Sequence, residues 1–295
     1  MWGFEHFLVF FGACWVVEKV WELGKAILSV RTEQGQVEKG SWALVTGSTD
    51  GIGQGFAFVL ASKGYNIVQV ARNSQKLESN GSQIYSKYGV QVRNIVKDFS
   101  VCTKNPILFF KDILDQCRGC DISLVVNNVG TSYSNTLFNE VSESKILELI
   151  NLNIFPTVFL TSLFTPIFAK RENGGGFINL SSVLGNVKYE KYSLYCAVKA
   201  FVKEFSILTD IDNQVLGNKK IKTLCLQPGY VLTPLTSNTK GKFLVIDRVL
   251  CAENALRLLG STSCTHGYWK HIMSGLIYRL VNYKTFMLIK KLNSY

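Results

Sequence analysis

Histidine is scarce in this chain, with three in 295 residues, at positions 6, 266 and 271. That scarcity argues against a metal centre, because the single CxxC at Cys117 and Cys120 would need two further ligands at suitable distance. The eight cysteines, at positions 14, 102, 117, 120, 196, 225, 251 and 264, also lack the paired spacing of a disulfide scaffold. Reduced thiols facing the cytosol are the simpler reading. Acidic residues are missing altogether after Glu253, where Arg257, Lys270, Arg279, Lys284, Lys290 and Lys291 accumulate among Trp269, Tyr278, Tyr283 and Phe286. A tail of that kind suits a membrane interface better than a nucleic-acid groove.

Long apolar runs are few as well. The uncharged stretch "FLVFFGACWVV", Phe7 to Val17, falls short of the about 20 residues that a spanning helix needs. No basic residue precedes it and no convincing small-residue cleavage site follows, so a retained membrane segment is expected over a cleaved signal peptide. Internal repeats and low-complexity segments are absent.

What is present is a core-forming composition, 47% hydrophobic, with a net charge of +11 that suits anionic lipid or phosphate-bearing ligands. From Ser41 onward, six short apolar runs read as strands: "WALVTG", "YNIVQVA", "VQVRNIV", "ISLVVNN", "GFINLSS" and "IKTLCLQPG". They are continuous rather than alternating, as strands covered on both faces should be. Helical stretches are predicted around 52–62, 74–88, 105–117, 142–170, 192–216 and 246–259. This alternation predicts an α/β fold, a doubly wound Rossmann-type parallel sheet with helices on both faces. A membrane anchor and linker over 1–40 is expected to precede a dinucleotide-binding domain over 41–260. A basic aromatic extension over 261–295, read as an amphipathic helix, should follow.

The first strand runs into "TGSTDGIG", where Gly47, Gly51 and Gly53 permit a tight turn and close backbone approach to a pyrophosphate at a helix N-terminus. After the second strand comes Arg72, and no carboxylate appears until Glu78. A guanidinium suits the 2′-phosphate of NADP, whereas an NAD site would place an acid there; a solvated loop arginine is the alternative. Tyr195 and Lys199 lie four positions apart in "YSLYCAVK", one helical turn on one face. Ser182 lies thirteen positions upstream of Tyr195, behind it stand "NNVG" and Asn153, and "PGYVLT" follows.

These elements, in this order, resemble the short-chain dehydrogenase/reductase family over residues 41 to about 260. The resemblance implies catalysis by Asn153, Ser182, Tyr195 and Lys199. Tyr195 would protonate a carbonyl oxygen as hydride arrives, Ser182 would bond the same oxygen, and Lys199 would hold the nicotinamide ribose and lower the Tyr195 pKa. Asn153, preferred to Asn151, would hold a water linked to Lys199. Contacts to NADP or NADPH are implied for Thr46, Gly47, Ser48, Gly51, Ile52, Gly53, Arg72, Asp98, Asn127, Tyr195, Lys199, Pro228, Gly229, Val231 and Thr233. Simpler roles stay open: Asp98 as a helix cap, Ser181 or Ser182 as strand-end caps, Asn127 or Asn128 as strand ties, and Tyr192 as an ordinary neighbour.

"GSTDGIG", "NNVG", the apolar N-terminus and "THGYWKHIMSGLI" look like the very-long-chain 3-oxoacyl-CoA reductase branch, whose animal members are also called 17β-hydroxysteroid dehydrogenase type 12. That likeness implies NADPH-dependent reduction of long-chain 3-oxoacyl-CoA in fatty-acid elongation. It also implies the endoplasmic reticulum membrane with a cytosolic catalytic domain, other elongation enzymes as partners and a homodimer as a further arrangement. Lys240 and Lys242 would meet CoA phosphates or stay solvated. A steroid or retinoid substrate is the first alternative reading. A catalytically silent scaffold is the second.

Overall fold

The computed structural model describes residues 6, 9–14, 17, 21, 24, 38–133, 136–234, 236 and 243–280. Among them, the strands β1 (Trp42–Thr46), β2 (Asn66–Ala71), β3 (Val92–Val96), β4 (Ile122–Asn127), β5 (Gly175–Leu180), β6 (Ile221–Leu226) and β7 (Cys264–Thr265) form one sheet in the order β3-β2-β1-β4-β5-β6-β7. Every pairing is parallel. The strand order reverses between β1 and β4, and ligands bind beyond the carboxyl ends at such a switch point.

The helices are α1 (Gly51–Ser62), α2 (Ser74–Tyr88), α3 (Pro106–Gln116), α4 (Glu143–Asn153), α5 (Phe155–Lys170), α6 (Ser193–Val215), α7 (Arg248–Leu258) and α8 (Trp269–Leu280). Successive strand residues serve opposite faces, which is why the runs are apolar throughout. Ala43, Val45, Leu124, Val126, Ile178 and Leu224 pack with Phe56 and Leu60 of α1 and Ala252 and Ala255 of α7. Trp42, Leu44, Val125, Phe177 and Ile221 pack on the other face with Phe110 of α3 and Phe164 and Phe168 of α5.

Two findings differ from the sequence expectation. The helix expected over 142–170 is two helices, broken at Ile154 (φ −101°, ψ −57°). Pro156, in the first turn of α5, has no N–H for the ladder and its ring bars the carbonyl one turn back. The stretch Glu143–Lys170 is apolar and long enough to cross a membrane by composition, yet its phenylalanines Phe164 and Phe168 are buried in the sheet core. The second finding is a seventh strand inside 261–295: β7 pairs Cys225 with Cys264 and Leu226 with Thr265. Within the Phe7–Val17 run, Val9 to Cys14 and Val17 are helical and exposed, whereas Phe7, Leu8, Trp15 and Val16, with Lys240, Lys242 and the tail over 281–295, lie outside the described residues.

Candidate active site

The turn from β1 into α1 is held from both sides. Gly47 and Gly51 adopt φ of 63° and 53°, a region that disfavours other residues. The Asp50 carboxylate caps α1 by accepting from the Gly51 N–H at 2.8 Å. Across the switch point, the Thr46 hydroxyl accepts from the N–H groups of Asn128 and Val129, each at 3.0 Å. The Asn128 amide donates to the Thr46 carbonyl at 2.8 Å. Sequence reasoning chose Asn127 as the residue beside the cofactor, but Asn127 is buried in the sheet and donates to Asn179 Oδ1 at 2.8 Å. Asn128 is the one that lines the cleft.

The cleft measures about 1410 Å³, room for a dinucleotide and a substrate together. Of the expected contacts, Gly47, Gly51, Ile52, Arg72, Asn153, Ser182, Tyr195, Lys199, Pro228, Gly229, Val231 and Thr233 all line it. Thr46, Ser48, Gly53, Asp98 and Asn127 do not. Thr46 is spent on the ties just described, and a side chain at Gly53 would collide with Asn128 Nδ2 at 2.3 Å. Asp98 caps the short helical turn Phe99–Lys104, accepting from the Ser100 N–H at 2.9 Å.

The catalytic candidates converge from three elements. Ser182 follows β5, caps the short turn Val183–Asn186 and lines the cleft together with Tyr195 of α6. Ser181 faces the other way, its hydroxyl donating to the Lys199 carbonyl at 2.6 Å. Lys199 Nζ is buried, donates to the Leu180 carbonyl at 2.9 Å and lies 5.7 Å from the Tyr195 ring centroid. Geometry also separates the two asparagines. Asn151 donates to the Ser100 carbonyl, away from the cleft, whereas Asn153 ends α4 at the break and donates to Thr131 and Leu149 carbonyls at 3.0 and 2.8 Å. The buried Asn153 Oδ1 has no hydrogen-bond partner among the described residues. Gly130 sits between it and Lys199, since a Cβ there would lie 2.7 Å from Asn153 Oδ1 and 3.4 Å from Lys199 Nζ. That gap fits a water relay at Lys199.

Electrostatically, the site departs from the sequence expectation. Burial pushes the Tyr195 phenol up to about 12, against a smaller opposing effect of the Ser182 hydroxyl. Lys199 does not draw it down. Burial instead pulls Lys199 itself down to about 8. A phenol of that kind is protonated at neutral pH, as a donor to a carbonyl must be.

Five further tyrosines line the cleft: Tyr133, Tyr189, Tyr192, Tyr230 and Tyr278. The ring of Tyr192 lies 5.8 Å from those of Tyr133 and Tyr189, and Tyr189 lies 6.0 Å from Tyr278. Burial raises the pKa of Tyr278, and the neighbouring Tyr230 adds to the rise. Sequence reasoning left Tyr192 as an ordinary neighbour and did not single out Tyr133, Tyr189 or Tyr230. Apart from Tyr189 and Tyr192, which share one loop, they come from separate segments that only the fold brings together.

The family model of the short chain dehydrogenase matches residues 41–242. The chain belongs to the short-chain dehydrogenase family. It is accordingly an oxidoreductase that acts on CH–OH groups with a nicotinamide dinucleotide. This dehydrogenase is 32% identical over 262 residues to a very-long-chain 3-oxoacyl-CoA reductase of Anas platyrhynchos, covering 86% of this chain and 80% of that one. It is 31% identical to the human inactive hydroxysteroid dehydrogenase-like protein 1, covering 79% and 69%. A solved short-chain dehydrogenase from Sphingobium yanoikuyae in complex with NADPH superposes with a TM-score of 0.65 at 25% identity, covering 74% of this chain and 84% of that one. The glycine cradle at Gly47 and Gly51 and the unpartnered Asn153 Oδ1 beside Lys199 fit such a cofactor.

Proposed function

We propose that this dehydrogenase reduces long-chain 3-oxoacyl-CoA to 3-hydroxyacyl-CoA with NADPH, at the endoplasmic reticulum membrane with its catalytic domain in the cytosol. The observation that carries the reading is the convergence of Ser182, Tyr195 and Lys199 in one cleft of about 1410 Å³ that Arg72 also lines. A carbonyl oxygen placed between Ser182 and Tyr195 accepts a hydrogen bond from one and a proton from the other. The bound dinucleotide supplies the hydride. Lys199 binds the ribose, and as its own pKa lies near 8 it can pass a proton inward from the water held at Asn153. Asp98 and Asn127 are left with structural roles, whereas Arg72 recognises the 2′-phosphate.

The likeness to 3-oxoacyl-CoA reductases supports the thioester substrate; fatty-acid elongation, with elongation enzymes as partners, belongs to the same proposal. A silent role like that of the inactive relative is disfavoured, because Ser182, Tyr195 and Lys199 are all in place. The test is NADPH oxidation by the detergent-solubilised full chain with a long-chain 3-oxoacyl-CoA, a 17-ketosteroid and a Tyr195→Phe control. Turnover of the thioester alone is expected. Turnover of the steroid alone would overturn the substrate assignment, and turnover equal to that of the control would overturn the enzymatic role.

A further inference from the structure

Surface helices bury apolar side chains and turn polar ones outward. In α8 the pattern is inverted. Its buried positions are His271, Ser274 and Gly275, while the exposed ones among the side chains described are Trp269, Met273, Leu276 and Ile277, at 39–45% exposure. Their spacing places them on one face. Phe243, 66% exposed, extends the stripe, its ring 5.9 Å from Trp269. Lys270 Nζ lies 5.0 Å from the Phe243 ring and 5.8 Å from that of Trp269.

The inner face has a reason inside the fold. His271 Nε2–H donates to the Tyr230 carbonyl at 3.1 Å, and burial, which pulls its pKa to about 4, keeps the ring neutral. Its ring fills the space that a side chain at Gly229 would need, 2.9 Å from Cδ2. The small, polar inner residues thus seat α8 on the loop Pro228–Val231 of the cleft. Among the described residues, nothing accounts for the apolar outer face.

We propose that the stripe of Trp269, Met273, Leu276 and Ile277, with Phe243, is a docking surface for an anionic lipid bilayer that sets the mouth of the cleft against the lipid. Three observations favour lipid over a protein. The sequence after Glu253 carries six lysines and arginines and no acid, so two copies meeting here would oppose like charges. Aromatic rings with a lysine laid over them are the chemistry of a headgroup boundary. Tyr278, next to Ile277, lines the cleft against Tyr189, so the cleft opens beside the stripe. An acyl chain leaving the bilayer there would not cross water. The assignment of the mouth rests on the proposed acyl substrate.

The test places the full chain in vesicles of phosphatidylcholine and phosphatidylserine brominated in the upper acyl chain. Subtracting the emission of a Trp269→Phe variant isolates Trp269 from the other tryptophans. Quenching of that difference by the bromines is expected. Access to aqueous acrylamide without bromine quenching would overturn the proposal, and so would protection from both, which would mean that protein covers the stripe. A second variant, Met273→Glu with Ile277→Glu, should lower turnover of a vesicle-borne long-chain 3-oxoacyl-CoA by about tenfold and leave that of a short, water-soluble one unchanged. Equal loss on both would overturn the docking role. If the wild type reduces neither thioester, the substrate reading falls, and the quenching result alone decides the docking surface.

Discussion

Two shielded cations sit at opposite edges of the same sheet, and they are treated in opposite ways. At the amino edge, Arg171 is 12% exposed and makes a bidentate pair with Asp121, Nε and Nη2 each at 2.7 Å from a carboxylate oxygen. It also bonds Glu38 at 2.9 and 3.1 Å. These carboxylates raise its pKa, and it in turn holds Asp121 below the usual carboxylate range. At the carboxyl edge, Lys199 is buried with a carbonyl as its protein partner and is pulled down to about 8. The paired cation ties the chain entering β1 to the ends of α5 and β4. The unpaired one keeps a proton that is easily given up, at a cost in stability.

Four experiments break or sharpen that contrast. Tyr195→Phe removes the proton donor and should lower single-turnover reduction by about 10²- to 10⁴-fold while NADPH fluorescence titration stays unchanged. More than a tenth of wild-type activity would remove Tyr195 from its role. Lys199→Met should lower turnover by about 10²-fold and also change the pH dependence of stability. Below about 8 the folded and unfolded chains both carry the Lys199 proton, and the burial penalty is fully present. Between about 8 and the ordinary 10.5 the folded chain releases its proton first, so the wild type gains stability relative to the variant as pH rises. A flat difference in urea melts over that window would contradict the unpaired state of Lys199.

Arg171→Met should do the converse. It should destabilise by about 1 to 3 kcal/mol, less than a fully buried pair because Asp121 is 64% exposed, and spare turnover per folded molecule. An unchanged urea midpoint would mean that the clamp contributes nothing. The smallest effect is expected at the rim, where Arg72→Asp should shift preference from NADPH towards NADH by about tenfold. An unchanged ratio of kcat/KM for the two cofactors would show that Arg72 does not read the 2′-phosphate.

The sequence made the carboxyl edge far more legible than the amino edge. Six of the strands and the glycine turn follow from local runs, because each depends on neighbours a few residues away, and the Ser182, Tyr195 and Lys199 set follows from the family resemblance that the order of these motifs carries. The clamp of Arg171 with Glu38 joins residues 133 positions apart and leaves no local trace. The strand β7 has two residues, too short for any hydrophobic pattern. Asn127 and Asn128 look alike in a string, and only the structure shows that Asn127 ties to Asn179 while Asn128 lines the cleft. The Tyr195 phenol differs from expectation for a related reason: spacing reveals the nearby lysine but not the burial that raises the phenol.

The inverted α8 bears on how long a molecule survives in a cell. Chaperones and degradation machinery recognise misfolded chains by exposed apolar side chains, and a stripe led by Trp269 and Leu276 offers that signal on a correctly folded protein. On the proposed docking, copies seated on lipid would hide it, whereas copies made in excess of the available membrane would keep displaying it. The helix would then couple abundance to membrane supply.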